Sequence, residues 1–206
     1  MTLFLPTNTT PYEKVEVSPV VVFSILDSWL RRPEQPGKGA PSYAVGALIG
    51  TFDDNTVSIE NCFADVFQEE IGKVWVDHKV SKLTRQPTIA IKQDLHEAWE
   101  VLMKKLSPNE YVVGWYSTKM SIAAPRISDF YFQRIKRDPI LLYVNPSLEN
   151  GNIDIQTFYC NSLELPGQTK LQSHFLPVPY SFSEGSYDKN TRMWAIWRWS
   201  NKQWIC

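Results

Sequence analysis

Apolar and polar residues along the chain follow two periods, which together predict strands and helices in alternation. Residues 43–49 form an apolar run closed by a glycine, and residues 56–67 alternate apolar and polar side chains. The turn-forming sequence Asp53-Asp54-Asn55 lies between them, so a β-hairpin is predicted. Further strands are predicted at 15–17, 74–76, 88–91, 111–116, 139–144, 153–159 and 171–182. This order, with helices between the strands, is typical of an α/β domain with a mixed sheet.

The first predicted helix covers residues 19–32. Ser18-Pro19 places a cap residue and a first-turn proline directly ahead of an apolar run. Apolar residues recur at helical spacing and form one face, which consists of Val22, Ile25, Leu26 and Trp29. Further apolar residues extend around the helix, so either the helix lies deep in its own domain or a partner covers a second side. The predicted partner contacts are Val21, Phe23, Trp29 and Leu30.

A second helix is predicted over residues 95–106, where apolar residues recur at i, i+3, i+4, i+7, i+8 and i+11. These residues are Leu95, Ala98, Trp99, Leu102, Met103 and Leu106. A third amphipathic helix is predicted over 127–137, with Phe130, Phe132 and Ile135 as its apolar positions.

Composition narrows the class of protein. The 206 residues are 43% hydrophobic and 13% aromatic, which is a foldable globular composition. The 21 basic and 22 acidic residues leave a formal net charge of −1, which provides no global attraction to nucleic acid or an anionic membrane. Cys62, Cys160 and Cys206 include no CxxC pair, which argues against a structural zinc site or a disulfide framework.

The two ends of the chain differ in character. Residues 1–14 are polar and are predicted to be a flexible lead-in without a secretory signal. No apolar stretch approaches the roughly 18–20 residues that span a bilayer. We therefore expect a soluble, cytoplasmic protein with no membrane partner.

Two segments are candidate binding surfaces. Residues 78–85 are predicted to be a basic loop, in which Lys79, Lys82 and Arg85 either contact RNA or are simply solvated. Near the C-terminus, Trp194, Trp197, Trp199 and Trp204 lie among basic residues. Exposed tryptophans there would form a stacking surface for RNA or a hot spot for a protein. We expect packing for the first two and a protein contact for Trp199 and Trp204, in a tail over 198–206.

Two motifs resemble the MPN domain, also called Mov34 or JAB: Tyr43-Ala-Val-Gly-Ala-Leu-Ile-Gly50, and Gly114-Trp-Tyr116 followed by a loop and a helix. The order of elements is similar over residues 15–197. The resemblance implies one α/β domain with a mixed central β-sheet flanked by α-helices, a cytidine-deaminase-like architecture. It also implies that residues at about 68–87 are an insertion, and that the family's usual C-terminal helices are missing or replaced after residue 206.

Active members of this family hold Zn²⁺ with a His-x-His-Pro motif and a following Ser-x-x-Asp, and a Glu activates the bound water. In this sequence the Glu position is Tyr43, and the two His positions are Ser117 and Lys119. The Ser and Asp positions are Ile127 and Phe130. None of these residues can take the required role, and His78, His96 and His174 are interpreted as surface or packed residues. The resemblance therefore implies no metal, no other cofactor and no catalytic residue.

Inactive MPN domains occur in the proteasome lid, the signalosome and eukaryotic translation initiation factor three. Three stretches resemble the last of these: residues 45–51 leading into 57–63, residues 104–118, and residues 138–151 with 165–167 beyond. This resemblance implies a scaffold subunit that helps to assemble the preinitiation complex on the small ribosomal subunit. Its expected partners are a second MPN-domain subunit of the H type and the other subunits of the factor. A lid or signalosome scaffold and a zinc isopeptidase remain alternatives, and direct RNA contact is left open.

Overall fold

The computed structural model describes residues 10–31, 43–65, 67–71, 74–76, 79–81, 87–91, 93–120, 124–147, 153–163 and 172–183. These residues form the elements β1 (Lys14–Val17), α1 (Pro19–Leu30), β2 (Val45–Phe52), β3 (Thr56–Ala64), β4 (Phe67–Ile71), β5 (Val74–Val76), β6 (Lys79–Ser81), β7 (Pro87–Ile91), α2 (Gln93–Leu106), β8 (Tyr111–Ser117), α3 (Ala124–Ile135), β9 (Ile140–Asn145), β10 (Asp154–Leu163), β11 (Gln172–Val178) and β12 (Tyr180–Phe182).

Eight of these strands form one mixed sheet in the order β11-β10-β9-β8-β2-β3-β1-β12. β1 runs parallel to β3 and to β12, β8 runs parallel to β9, and the other neighbours are antiparallel. The predicted β2–β3 hairpin is present, and Asp53 and Thr56 exchange backbone hydrogen bonds at its turn. The predicted α/β fold with a mixed sheet and flanking helices is confirmed.

α1 covers one face of the sheet. Val22, Ile25 and Leu26 are buried there as the spacing predicts, and Trp29 packs partly buried against the same core cluster. Val21 is fully buried in that cluster too, so its predicted role as a partner contact is wrong. The reason is that apolar residues extend around more of the helix than one face, and the side of the helix that carries Val21 packs against the sheet. Leu30 remains 54% exposed.

α2 and α3 lie on the opposite face, where a second core cluster includes Tyr43, Trp115, Ile127 and Tyr131. An amphipathic helix normally turns its apolar stripe toward the core, and α2 does so only in part. Met103 is half-buried, but Trp99, Leu102 and Leu106 are 45%, 44% and 70% exposed. The pattern therefore identifies the helix correctly, while three of its apolar residues keep a large exposed surface.

The segment predicted as an insertion contains regular structure apart from the main sheet. β4 pairs with β7, and β5 pairs with β6. Lys79 begins β6 and pairs with Val76, so this part of the predicted basic loop is a strand. Lys82, Arg85 and the four tryptophans of the C-terminal region lie outside the described residues, and so does His78.

The predicted lead-in is too long at its C-terminal end. Tyr12 stacks on Phe52 with ring centroids 5.5 Å apart, and Lys14 already belongs to β1. The N–H of Glu13 donates to the carbonyl of Asn55 at 2.8 Å. Residues 10–14 are therefore part of the domain.

Candidate functional site

The start of β2 and the end of β8 meet at one end of the sheet. Val45 is paired with Ser117 in the β2–β8 register. The N–H of Thr118 donates to the carbonyl of Ala44 at 3.0 Å, and the N–H of Ala44 donates to Thr118 Oγ1 at 2.9 Å. The fold therefore brings the first glycine-containing motif beside the Gly-Trp-Tyr strand, which is where the predicted site positions need to converge.

The residues at this end of the sheet are engaged in structure. Tyr43 is buried in the second core cluster. Ser117 is also buried, and its Oγ donates to the carbonyl of Lys119 at 2.6 Å and accepts from the N–H of Lys119 at 3.3 Å. The Ser117 hydroxyl thus closes a short turn, while the Lys119 side chain is exposed.

α3 contributes two apolar side chains at the remaining positions. Ile127 is buried in the same cluster as Tyr43. Phe130 packs edge-on against His96 and against Tyr131, with ring centroids 5.5 Å and 5.3 Å apart. The position predicted to correspond to the aspartate of active family members is therefore occupied by a packed aromatic ring.

These residues do not fit a zinc ion. Zinc sites in proteins use thiolate, imidazole or carboxylate ligands, and none of the five positions carries one. Within the part of the chain that the structure describes, no group of three His, Cys, Asp or Glu side chains could hold a metal.

A buried polar network lies beside these positions. Asp65 directly follows β3, and its N–H donates to the carbonyl of Val45 at 2.9 Å. His96 Nδ1 lies 2.8 Å from Asp65 Oδ1, and the Tyr131 hydroxyl donates to Asp65 Oδ2. The His96 and Asp65 side chains are 0% and 2% exposed. One carboxylate therefore joins the end of β3 to α2 and α3.

The surroundings of this network are aromatic. The rings of Phe63, Phe130 and Tyr131 lie within 5.2–5.6 Å of the His96 ring. Burial, followed by the charge of Asp65 and the hydrogen bond to it, raises the pKa of Tyr131 well above its usual range, so Tyr131 remains a donor. No hydrogen-bond partner of His96 Nε2 is found among the described residues. This nitrogen is buried, and the ring around it is packed among aromatic side chains.

The sequence interpretation missed this network. It treated His96 as a surface or packed residue, and the structure shows it packed, but it singled out neither Asp65 nor Tyr131. These partners are 31 and 35 positions away from His96 in the sequence. No local pattern links residues so far apart, and only the folded sheet brings them together.

A groove of about 680 Å³ between α2 and α3 is lined by Glu100, Phe130, Gln133, Arg134 and Lys136. Arg134 lies 3.5 Å from Glu97 and 3.1 Å from Glu100. Its guanidinium carbon is also 5.7 Å from the centre of the Phe130 ring. The arginine is thus used to bridge the two helices.

Two helices expose apolar residues. On α1, Phe23 is half-buried and Leu30 is exposed; they are seven positions apart and so lie on one side of the helix, here called the α1 outer face. On α2, Trp99, Leu102 and Leu106 form the α2 apolar face. Exposed apolar residues grouped in this way mark interaction surfaces.

Comparison with known protein families identifies the class. The family model described as "JAB1/Mov34/MPN/PAD-1 ubiquitin protease" matches residues 10–136, which is more than half of the chain. The chain therefore belongs to the MPN family, and the resemblance inferred from its two motifs is confirmed.

Among curated proteins, this chain is similar to components of a translation factor. It is 31% identical over 180 residues to the F subunit of eukaryotic translation initiation factor 3 from Dictyostelium discoideum. It is 30% identical over 179 residues to the F-1 subunit of the same factor from Drosophila ananassae. Each alignment covers 86% of this chain and 55% of the relative, so the chain spans about half the length of these curated relatives.

Among the described residues, no helix combines the length and the apolar character required to cross a membrane.

Proposed function

We propose that this chain is a non-catalytic MPN-domain component of eukaryotic translation initiation factor three, of the F type. It acts as a cytoplasmic scaffold in assembly of the preinitiation complex on the small ribosomal subunit. The observation that carries this proposal is the filling of all five site positions by Tyr43, Ser117, Lys119, Ile127 and Phe130. The names of the similar curated proteins support the choice of complex over the proteasome lid and the signalosome.

The proposed mode of assembly is pairing with a second MPN-domain subunit, of the H type, through the α1 outer face. Leu30 is the most exposed apolar residue of α1, and Phe23 lies beside it at helical spacing. Trp29 is less suited to this role than the sequence suggests, because it packs against the core of its own domain. The α2 apolar face is the alternative surface for the same pairing.

Co-purification from cells tests the pairing. The variant Phe23→Glu with Leu30→Glu places two charges on the α1 outer face, and the comparison variant Leu102→Glu with Leu106→Glu does the same on the α2 apolar face. We expect the first variant to lose the partner MPN protein while keeping its circular dichroism spectrum. A folded first variant that retains the partner, with loss confined to the second, would move the interface to α2.

Metal analysis and an isopeptide-cleavage assay test the non-catalytic role. The purified chain is expected to contain far less than one equivalent of zinc and to leave ubiquitin isopeptide bonds intact. An MPN domain of this family with a working site needs the metal to activate water. Stoichiometric zinc together with cleavage would overturn the proposal and favour a zinc isopeptidase.

Direct contact with RNA through Lys79, Lys82 and Arg85, and with a protein through Trp199 and Trp204, stays a prediction. Phosphate contacts make affinity fall steeply with salt. A salt-dependent affinity for ribosomal RNA that is lost when the three basic residues are replaced by Ala would support the first of these.

A further inference from the structure

α2 is attached to the domain in an unusual way. Of its side chains that the structure describes, only that of His96 is fully buried, and this side chain is polar. Met103 is half-buried, and Trp99 stacks on Phe63 with ring centroids 6.3 Å apart. Trp99, Leu102 and Leu106 nevertheless keep 45%, 44% and 70% of their surface exposed. Most helices are held by an apolar face, so the attachment of α2 depends to a greater degree on its polar contacts.

Those polar contacts are of two kinds. Glu97 and Glu100 bind Arg134 of α3, but their side chains are 53% and 45% exposed. Exposed ion pairs of this kind contribute little. His96, in contrast, binds a carboxylate that is 2% exposed and that also accepts the Tyr131 hydroxyl. Buried hydrogen bonds to a charged group are strong, and loss of one partner leaves the others unsatisfied.

We propose that Asp65, His96 and Tyr131 form a latch that holds α2 on the domain, and that release of this latch lets α2 open while the sheet stays folded. Asp65 is a firm anchor for α2 because it directly follows β3 and its backbone N–H is hydrogen-bonded to Val45 in β2. Elements with few buried apolar contacts open locally at lower free energy than core strands do. Opening would withdraw or reorient the α2 apolar face, so the latch sets how that face is presented.

Native-state hydrogen exchange, read by mass spectrometry on the full chain, tests this inference. The variant Asp65→Asn keeps the shape of the side chain and removes its charge. We expect amides of α2 to exchange at least about tenfold faster, while those of β8 and β9 stay within about twofold. Tyr131→Phe removes one hydroxyl only and is expected to accelerate exchange of α2 by about threefold.

The matched control is Glu100→Gln, which removes an exposed charge from the same helix and is expected to change exchange of α2 by less than about twofold. The double variant Asp65→Asn with Tyr131→Phe is expected to open α2 little more than Asp65→Asn alone, because both substitutions act on one network. If Asp65→Asn does not fold, the ratio of α2 to β8 exchange in Tyr131→Phe decides in its place.

Three results would overturn the latch. Unchanged exchange of α2 in Asp65→Asn would show that the helix is held by other contacts. Equal acceleration in α2, β8 and β9 would show that the network stabilises the whole domain and has no separate control over α2. Additive effects in the double variant would likewise show that the two side chains do not act together.

Discussion

At the scale of single residues, most of the five predicted site positions are occupied by side chains that have a structural role. Ile127 and Tyr43 belong to the core, and the Ser117 hydroxyl is used in a turn. Phe130 completes an aromatic cluster around a buried histidine. Restoring one residue of the family motif therefore disturbs a packed environment, and the other ligands remain absent.

The first prediction concerns Phe130→Asp. A carboxylate placed against the rings of His96 and Tyr131 would be poorly solvated and close to the charge of Asp65. We expect a loss of about 1–3 kcal/mol in the free energy of unfolding, measured by urea denaturation, and no gain of zinc. Gln133→Asp is the control, because Gln133 is exposed on the same helix. Equal stability of the two variants would contradict the packing described for Phe130.

The second prediction concerns the thiol of Cys62. Burial raises the pKa of this thiol from 9.0 to about 12, against a smaller opposing effect of Ser24. Since the thiolate is the reactive form, alkylation by iodoacetamide at pH 8 should be at least about a hundredfold slower in the folded chain than in urea. Mass spectrometry of the Cys62 peptide measures this. Similar rates in both states would show that the thiol is accessible and ionises freely.

The same pKa shift has a consequence for stability. A raised pKa in the folded state means that the neutral thiol is favoured by folding. The contribution is therefore complete below pH 9 and is lost as the pH rises from 9 toward 12.

At the scale of elements, the close approach of strands is decided by glycines. Gly114 lies in β8 opposite Ile140 of β9, and a Cβ added there would lie 1.9 Å from the Ile140 carbonyl oxygen. Gly46 is similar: an added Cβ would lie 2.0 Å from the carbonyl oxygen of Phe63. Both glycines belong to the motifs that identify the family, so part of each motif serves strand packing and not the site.

The third prediction follows for Gly114→Ala. The neighbouring atoms are backbone and cannot move without separating β8 from β9, so we expect a loss of about 3 kcal/mol or failure to fold. Thermal unfolding followed by circular dichroism measures the effect. Ala47→Gly, which deletes one buried methyl group from the neighbouring strand without adding a clash, should be tolerated better. Wild-type stability of Gly114→Ala would contradict the β8–β9 register.

The helices differ from each other at this scale. α1 has apolar residues on most sides and packs closely against the sheet, so that Val21 is also buried. α2 has a clearer apolar stripe, yet much of that stripe is exposed. Periodicity reports which residues share a face, but it does not report which face meets the body of the protein.

At the scale of the whole molecule, the domain is a member of the MPN family whose exposed apolar faces point to assembly with other proteins. Two faces on different helices are exposed, and Tyr43 and Ile127 at the predicted site positions are buried in the core. This distribution is in line with the scaffold role proposed above.

The fourth prediction belongs to this scale. Because the side chains at the site positions do not fit a metal, the midpoint of thermal unfolding should change by less than about 1 °C when a chelator is added, whereas metal-dependent folds lose stability on chelation. Differential scanning calorimetry with and without EDTA measures this. A fall of several degrees that zinc reverses would contradict it.

The sequence by itself determined much of the architecture. Local spacing was sufficient to place the three helices and most strands of the main sheet to within a few residues, because side-chain period reflects backbone geometry. The run predicted at 171–182 is an exception, since it forms two strands, β11 and β12, at opposite edges of the sheet. The motifs around Gly46 and Gly114 were sufficient to identify the MPN family. The spacing of the family motif along the chain also predicts which residues stand in place of the zinc ligands.

Tertiary structure alone decided how these elements are used. It buried Val21, exposed Leu102, and joined Asp65 to His96 and Tyr131 across three elements. Burial and hydrogen bonding between distant segments depend on where the sheet positions each segment. No local pattern in a single sequence records those positions. The sequence therefore predicts which residues replace the zinc ligands, whereas the buried network beside them emerged only from the fold.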